Sequence, residues 1–119
     1  MSEVKKILGQ AAPAATTETD LYVVPDAKGA VVSFISVCNR NASAGTYRIS
    51  VSYSGGATAN KDYTHYDEAI AAKTHARIDM GVTLSNLDEI RVYASNADMS
   101  FNCFGAEFDQ VNVYIEEPL

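Results

Sequence analysis

A chain of 119 residues, 47% hydrophobic and 20% charged, is sized for one domain with a single core and needs neither a metal nor a disulfide to fold. Its formal net charge of -6 and scattered basic residues oppose binding to a phosphate backbone, which requires clustered Lys and Arg. No stretch approaches the length of a membrane span, and the first ten residues hold no continuous apolar segment of a secretory leader, so the expectation is a soluble chain made in a cytoplasm.

Residues Glu3 to Leu8 read as a short first strand. Gly9 to Thr19 follows, rich in Ala and Thr with one Pro, too irregular for a core element. We therefore expect an N-terminal arm over residues 1–20 that either contacts neighbours or crosses its own domain, and a sandwich domain over residues 21–119. The run Leu21-Tyr22-Val23-Val24 leads into a turn around Pro25 to Gly29. Val31 to Cys38 then carries apolar residues at both parities, the pattern of a central strand covered on both faces.

A polar cluster from Asn39 to Gly45 separates that strand from Thr46 to Tyr53, which alternates strictly. Tyr47, Ile49, Val51 and Tyr53 would share one face, and truncating Ile49 or Val51 to Ala would cost about 2 to 4 kcal/mol. After the loop that Ser54-Gly55-Gly56 opens, an extended stretch from Lys61 to Ile70 is dense in aromatic rings, and Lys73 to Met80 alternates again until Gly81. In Asp88 to Ser95 the apolar set is Ile90, Val92 and Ala94. The run Met99 to Phe108 changes phase, from Met99, Phe101 and Cys103 to Phe104, Ala106 and Phe108, so a β-bulge near Gly105 is expected. Val111 to Ile115 reads as a last strand. Roughly eight short strands without a helix predict an all-β fold: a single antiparallel β-sandwich or jelly roll with an extended N-terminal arm.

No catalytic constellation is visible. His65 and His75 lack a second His or Cys at ligand spacing, and the adjacent carboxylates Asp67-Glu68 and Asp88-Glu89 point to opposite strand faces. Asp62, Asp88 and Asp98 lack the spacing of a calcium loop, and Cys38 and Cys103 read as free thiols in apolar strands. No enzymatic activity, metal or cofactor is implied. Seven tyrosines with no tryptophan leave one ligand strip open, a glycan contact through Tyr63, His65 and Tyr66.

The segments Leu8-Gly9-Gln10 with Pro13-Ala14-Ala15, Leu21-Tyr22, Val24-Pro25, Val37-Cys38-Asn39-Arg40, Thr46-Tyr47-Arg48-Ile49, Val92-Tyr93-Ala94-Ser95, Ser100-Phe101-Asn102 and Phe104-Gly105 carry a resemblance. Together they resemble small structural proteins of tailed bacteriophage virions. That resemblance implies a non-enzymatic part located in the virion and packed against the major capsid protein or other virion proteins. A decoration or cement protein on the outer surface of the head leads, forming a homo-oligomer such as a trimer. A tail, baseplate or fibre-attachment adaptor is the alternative, and a host-glycan-binding module stands outside that class. Lys5, Ile7 and Leu8 of the arm and Tyr114 near the C-terminal edge are the expected partner contacts, and deleting residues 2–12 is expected to weaken attachment without unfolding the sandwich.

Overall fold

The longest strand, β3 (Lys28–Asn39), lies between two others and sets the frame of the fold. In a computed structural model that describes residues 3–110, the remaining strands are β1 (Glu3–Ala11), β2 (Thr19–Val23), β4 (Gly45–Ser52), β5 (Tyr63–Ile70), β6 (Thr74–Leu84), β7 (Glu89–Ala94) and β8 (Met99–Asp109). They form two antiparallel sheets, ordered β1-β8-β3-β6 and β2-β7-β4-β5. The pairings run 1 with 8, 2 with 7, 3 with 6 and 4 with 5, as a long hairpin wound into two layers would give. This is a jelly roll. The strand expected over Val111 to Ile115, and with it Tyr114, lies outside the described residues.

Both layers supply the core. Ala30, Val32, Ile35, Val37, Ile78, Met99, Phe101 and Cys103 of the first sheet meet Leu21, Tyr22, Tyr47, Ile49, Ile90, Val92 and Ala94 of the second. Ile90, Val92 and Ala94 point inward as their alternation predicts. Asn39 at the end of β3 is fully buried, and its Nδ2 donates to the carbonyls of Ser43 and Ala71 at 3.0 and 3.1 Å. One amide thereby ties two loops together.

Four expectations are corrected or narrowed. First, β3 is covered on one face only: Val31 is 37% exposed, and Phe34, Ser36 and Cys38 are half-buried. Its apolar residues occupy both parities because Ser33 is an inserted residue without a partner on β8, which moves the inward row from Ala30 and Val32 to Ile35 and Val37. Second, β8 pairs with β3 with no residue of its own inserted, so it holds no bulge at Gly105. The extra residues sit on its neighbours, Leu8 on β1 and Ser33 on β3. Phe104, Ala106 and Phe108 therefore stay on the face opposite Met99, Phe101 and Cys103.

Third, residues 3–11 of the expected arm take one of its two courses and cross their own domain, as an edge strand of the first sheet hydrogen-bonded along β8 from Glu3 opposite Phe108 to Ala11 opposite Phe101. The short strand expected over Glu3 to Leu8 continues through Gly9 because a glycine lets the backbone meet β2: a Cβ there would lie 2.0 Å from the Leu21 carbonyl oxygen. Fourth, Tyr53 leaves its strand for a 3₁₀ turn (Tyr53–Gly55) and is 82% exposed, and Val51 is only half-buried. Ser50 and Ser52, on the opposite parity, are instead buried.

Candidate interaction face

Residues directly opposite in an antiparallel pair share a face. Around β8 this rule assembles one surface: Phe104 faces Ile7 on one side and Phe34 on the other, Ala106 faces Lys5 and Val31, and Phe108 faces Glu3 and Gly29. The outer side of the first sheet is thus apolar at this end. The rings of Phe34 and Phe104 stack with centroids 4.7 Å apart at 27°, and the Arg77 guanidinium lies 3.7 Å above the Phe34 centroid. Ile7 is 51% exposed. Together with Glu3, Lys5, Val31 and Ala106 these residues line an open depression of about 540 Å³.

The bulge at Ser33 makes this face possible. By shifting the parity of β3 it puts Val31 and Phe34 on the same outer side, where strict alternation would have sent one of them inward. Phe34 and Phe104 are half-buried and Ala106 is buried, so the apolar surface exposed on this face comes chiefly from Ile7 and Val31. Of the expected partner contacts, Lys5 and Ile7 line the depression, whereas Leu8 packs against the core.

The outer face of the second sheet carries a different cluster. Arg48 lies between the rings of Tyr66 and Tyr93, 4.2 Å from each centroid, and its Nε donates to Asp67 at 2.7 Å. Tyr63 meets Tyr66 edge-on at 4.9 Å. The structure therefore unites Tyr63 and Tyr66 and separates His65, which pairs across from the buried Ile49 while its ring contacts the Thr64 hydroxyl at 2.9 Å. The positive φ of Asp67 and the register shifts of β5 place these side chains, and strand parity alone could not. A guanidinium held between two rings satisfies the cluster internally and occupies a face of each tyrosine that a sugar would need.

The remaining polar groups hold the scaffold. Arg91 donates to Ser52 Oγ, the Gly56 carbonyl and Thr58 Oγ1 at 2.8 to 2.9 Å, and pairs with Asp20 and Glu89, so one side chain pins the loop after β4 to β7. Burial and a hydrogen bond shared with Asp20 raise the Glu89 carboxyl above its usual range, against the pull of Arg91. Asp88 accepts from the backbone N–H groups of Ser54 and Ser85, both at 2.8 Å. At the other sheet, the Tyr22 hydroxyl donates to Glu107 at 2.6 Å and Lys6 to the same carboxylate at 3.2 Å. These two donors hold the Glu107 carboxyl below its usual range. Burial pushes the Cys103 thiol up to about 12.

Asp62, Asp88 and Asp98 serve separate loops, capping Ala59, bridging Ser54 to Ser85, and accepting from Asn41. Among the described residues no group of three His, Cys, Asp or Glu could hold a metal ion, and no helix is long and apolar enough to cross a membrane. Cys38 lies on the outer row of β3 opposite His75 and Ser100, and both cysteines are free.

No protein-family model matches the chain, and no curated protein matches its sequence. Two solved structures are similar to it. One is a chain from Bacillus endospore appendages, which form a family of disulfide-linked pili; it is 17% identical, with 92% of this chain and 88% of that one covered, at a TM-score of 0.50. The likeness is one of fold. The other is a chain from the acid-stable capsid of Helicobacter pylori bacteriophage KHP30, 14% identical, with 90% and 91% covered, at a TM-score of 0.44.

Proposed function

We propose that this chain is a non-enzymatic structural protein of a tailed bacteriophage virion, a decoration protein on the outer surface of the head that seats its Phe34–Phe104 face on the major capsid protein. The observation that carries the reading is this face: an apolar surface built on the solvent side of a sheet whose other side already forms the core. A scaffold whose loop polar groups are paired with one another, beside an outer apolar row that Arg77 covers in part and Glu3 and Lys5 flank, suits an assembly part. The resemblance of its sequence segments to virion proteins supplies the setting. The pilus protein of the same fold likewise belongs to an assembly.

The mechanism is linkage. A small domain that binds the assembled shell and not its separated subunits stabilises the shell against opening in proportion to its occupancy. A tail or baseplate adaptor would use the same face on a different partner. The glycan reading is the weaker one, because Arg48 covers ring faces of Tyr66 and Tyr93 and His65 stands apart from the tyrosines.

The test is immunogold electron microscopy of parent virions with antibody to the recombinant chain, followed by re-addition of the chain to stripped particles. Regular labelling of the head and a rise in the particles' melting temperature on re-addition are expected. Phe104→Ser should weaken re-binding by about tenfold, as truncation of a central aromatic contact does. Label confined to the tail would move the chain to the adaptor reading, and unlabelled virions would overturn both.

A further inference from the structure

Within the first sheet β1 is an edge strand, and its first five residues, Glu3 to Ile7, pair with β8 in unbroken register. An edge of this kind presents unpaired N–H and C=O groups to any second strand. The other edges are less open to such an addition. β2 has five residues and a register shift after Asp20, β5 is interrupted around Asp67, and on β6 the outer charges are engaged, Arg77 with Asp79 and with the Phe34 ring.

Unlike that β6 row, the outer row of β1 has charge to spare. Among the described residues neither Glu3 nor Lys5 joins an ion pair, whereas Lys6, on the opposite row, is matched by Glu107. Val4 is 60% exposed, an apolar side chain with little cover of its own. These three residues are self-complementary. In the antiparallel register that sets Val4 opposite its own counterpart, Glu3 of each copy faces Lys5 of the other, because both pairs are symmetric about residue 4.

We propose that a second copy of this chain adds to the first sheet through β1, antiparallel and two-fold symmetric, with Val4 on Val4 and reciprocal Glu3–Lys5 pairs. The inference deepens the assembly reading by naming a partner, and it joins the two four-stranded sheets into one continuous sheet with the Phe34–Phe104 faces of both copies on the same side. Two apolar faces would then meet a lattice together. Pairing of this kind closes at two copies, in place of the trimer suggested by the resemblance.

The test uses sedimentation equilibrium of the full chain and of E3K and K5E variants. Both side chains are exposed, so each variant should retain the wild-type fold, read from its circular dichroism spectrum. The expected result is a wild-type dimer, at least about tenfold weaker in either single variant, since each then sets like charges opposite one another twice. The E3K/K5E double variant should restore it. Mixing the two single variants should yield a heterodimer, because one chain then carries lysine at both positions and the other carries glutamate at both. A wild-type chain that stays monomeric, or a dimer indifferent to both reversals, would overturn the β1 pairing. These outcomes are separate from the virion reading: a monomer can still label heads, and a charge-dependent dimer can be absent from particles.

Discussion

At the scale of single residues, the polar side chains that tie the loops to the sheets leave little signal in the sequence. Arg91 reads there as the outward position of an alternating strand, yet it gathers Asp20, Ser52, Gly56, Thr58 and Glu89 because the loop after β4 folds back over it. Spacing cannot show this, since Gly56 lies 35 residues away and Asp20 belongs to another strand. Two carboxylates should make the stability depend on pH in opposite directions. Glu107 is held below its ordinary range by Tyr22 and Lys6, so it stabilises the fold above the pKa it has unfolded, and that contribution disappears as pH falls through its folded pKa. Glu89 is raised by burial and by Asp20, so its charge works against the fold above its folded pKa and the strain is relieved on acidification. Glu107→Gln should therefore lower stability at pH 7 and narrow the difference between pH 7 and pH 3, whereas Glu89→Gln should be closest to wild type at pH 3. Urea denaturation of both variants across that range measures the two slopes; a parallel response would show that the Tyr22–Glu107 bond does not govern the acid limb.

The strands themselves are far more legible, because each has one face in the core and period-two alternation follows from that geometry. Ile90, Val92 and Ala94 can be placed from the sequence for this reason, as can the central position of β3. Misreadings cluster where a strand is apolar on the wrong side. Phe104, Ala106 and Phe108 look like a core row out of phase, and a bulge is the economical repair; in fact they lie on the outer row of β8, beside Ile7, Val31 and Phe34. The same reasoning corrects the energetic expectation for β4. Ile49 is fully buried, so Ile49→Ala should cost about 3 kcal/mol. Val51 is half-buried, and its truncation should cost about 1 kcal/mol. Equal losses in chemical denaturation would mean that Val51 is covered by something beyond its own sheet.

For the whole molecule the pairing of the first strand with the last matters most. Read as an arm, residues 2–12 could be removed with loss of attachment alone. As a strand they cover one side of β8, and Gly9 runs against Leu21 of the opposite layer, so their deletion should lower the melting temperature by several degrees or more as well as abolish self-association. Calorimetry of the deleted chain decides between the two, since a free arm would leave the transition where it was. The candidate face belongs to this scale too. It is half visible in the sequence, in Lys5 and Ile7, while Phe34 and Phe104 escape notice because only the register of three strands brings them together.

The jelly roll also sets the order in which the protein can be made. Among the described strands β1 is synthesised before the others and its partner β8 after them, with Glu3 waiting for Phe108. Until then the earliest segment has no sheet to join, and β3 lacks one of its two neighbours. Closure therefore waits for β8 and is governed by long-range contacts, the class that folds in milliseconds to seconds, not microseconds. Over that interval the chain leaves one edge of β3 unpaired and the core row of that strand uncovered by β8, so the late pairing of β8 makes premature association a hazard of its synthesis.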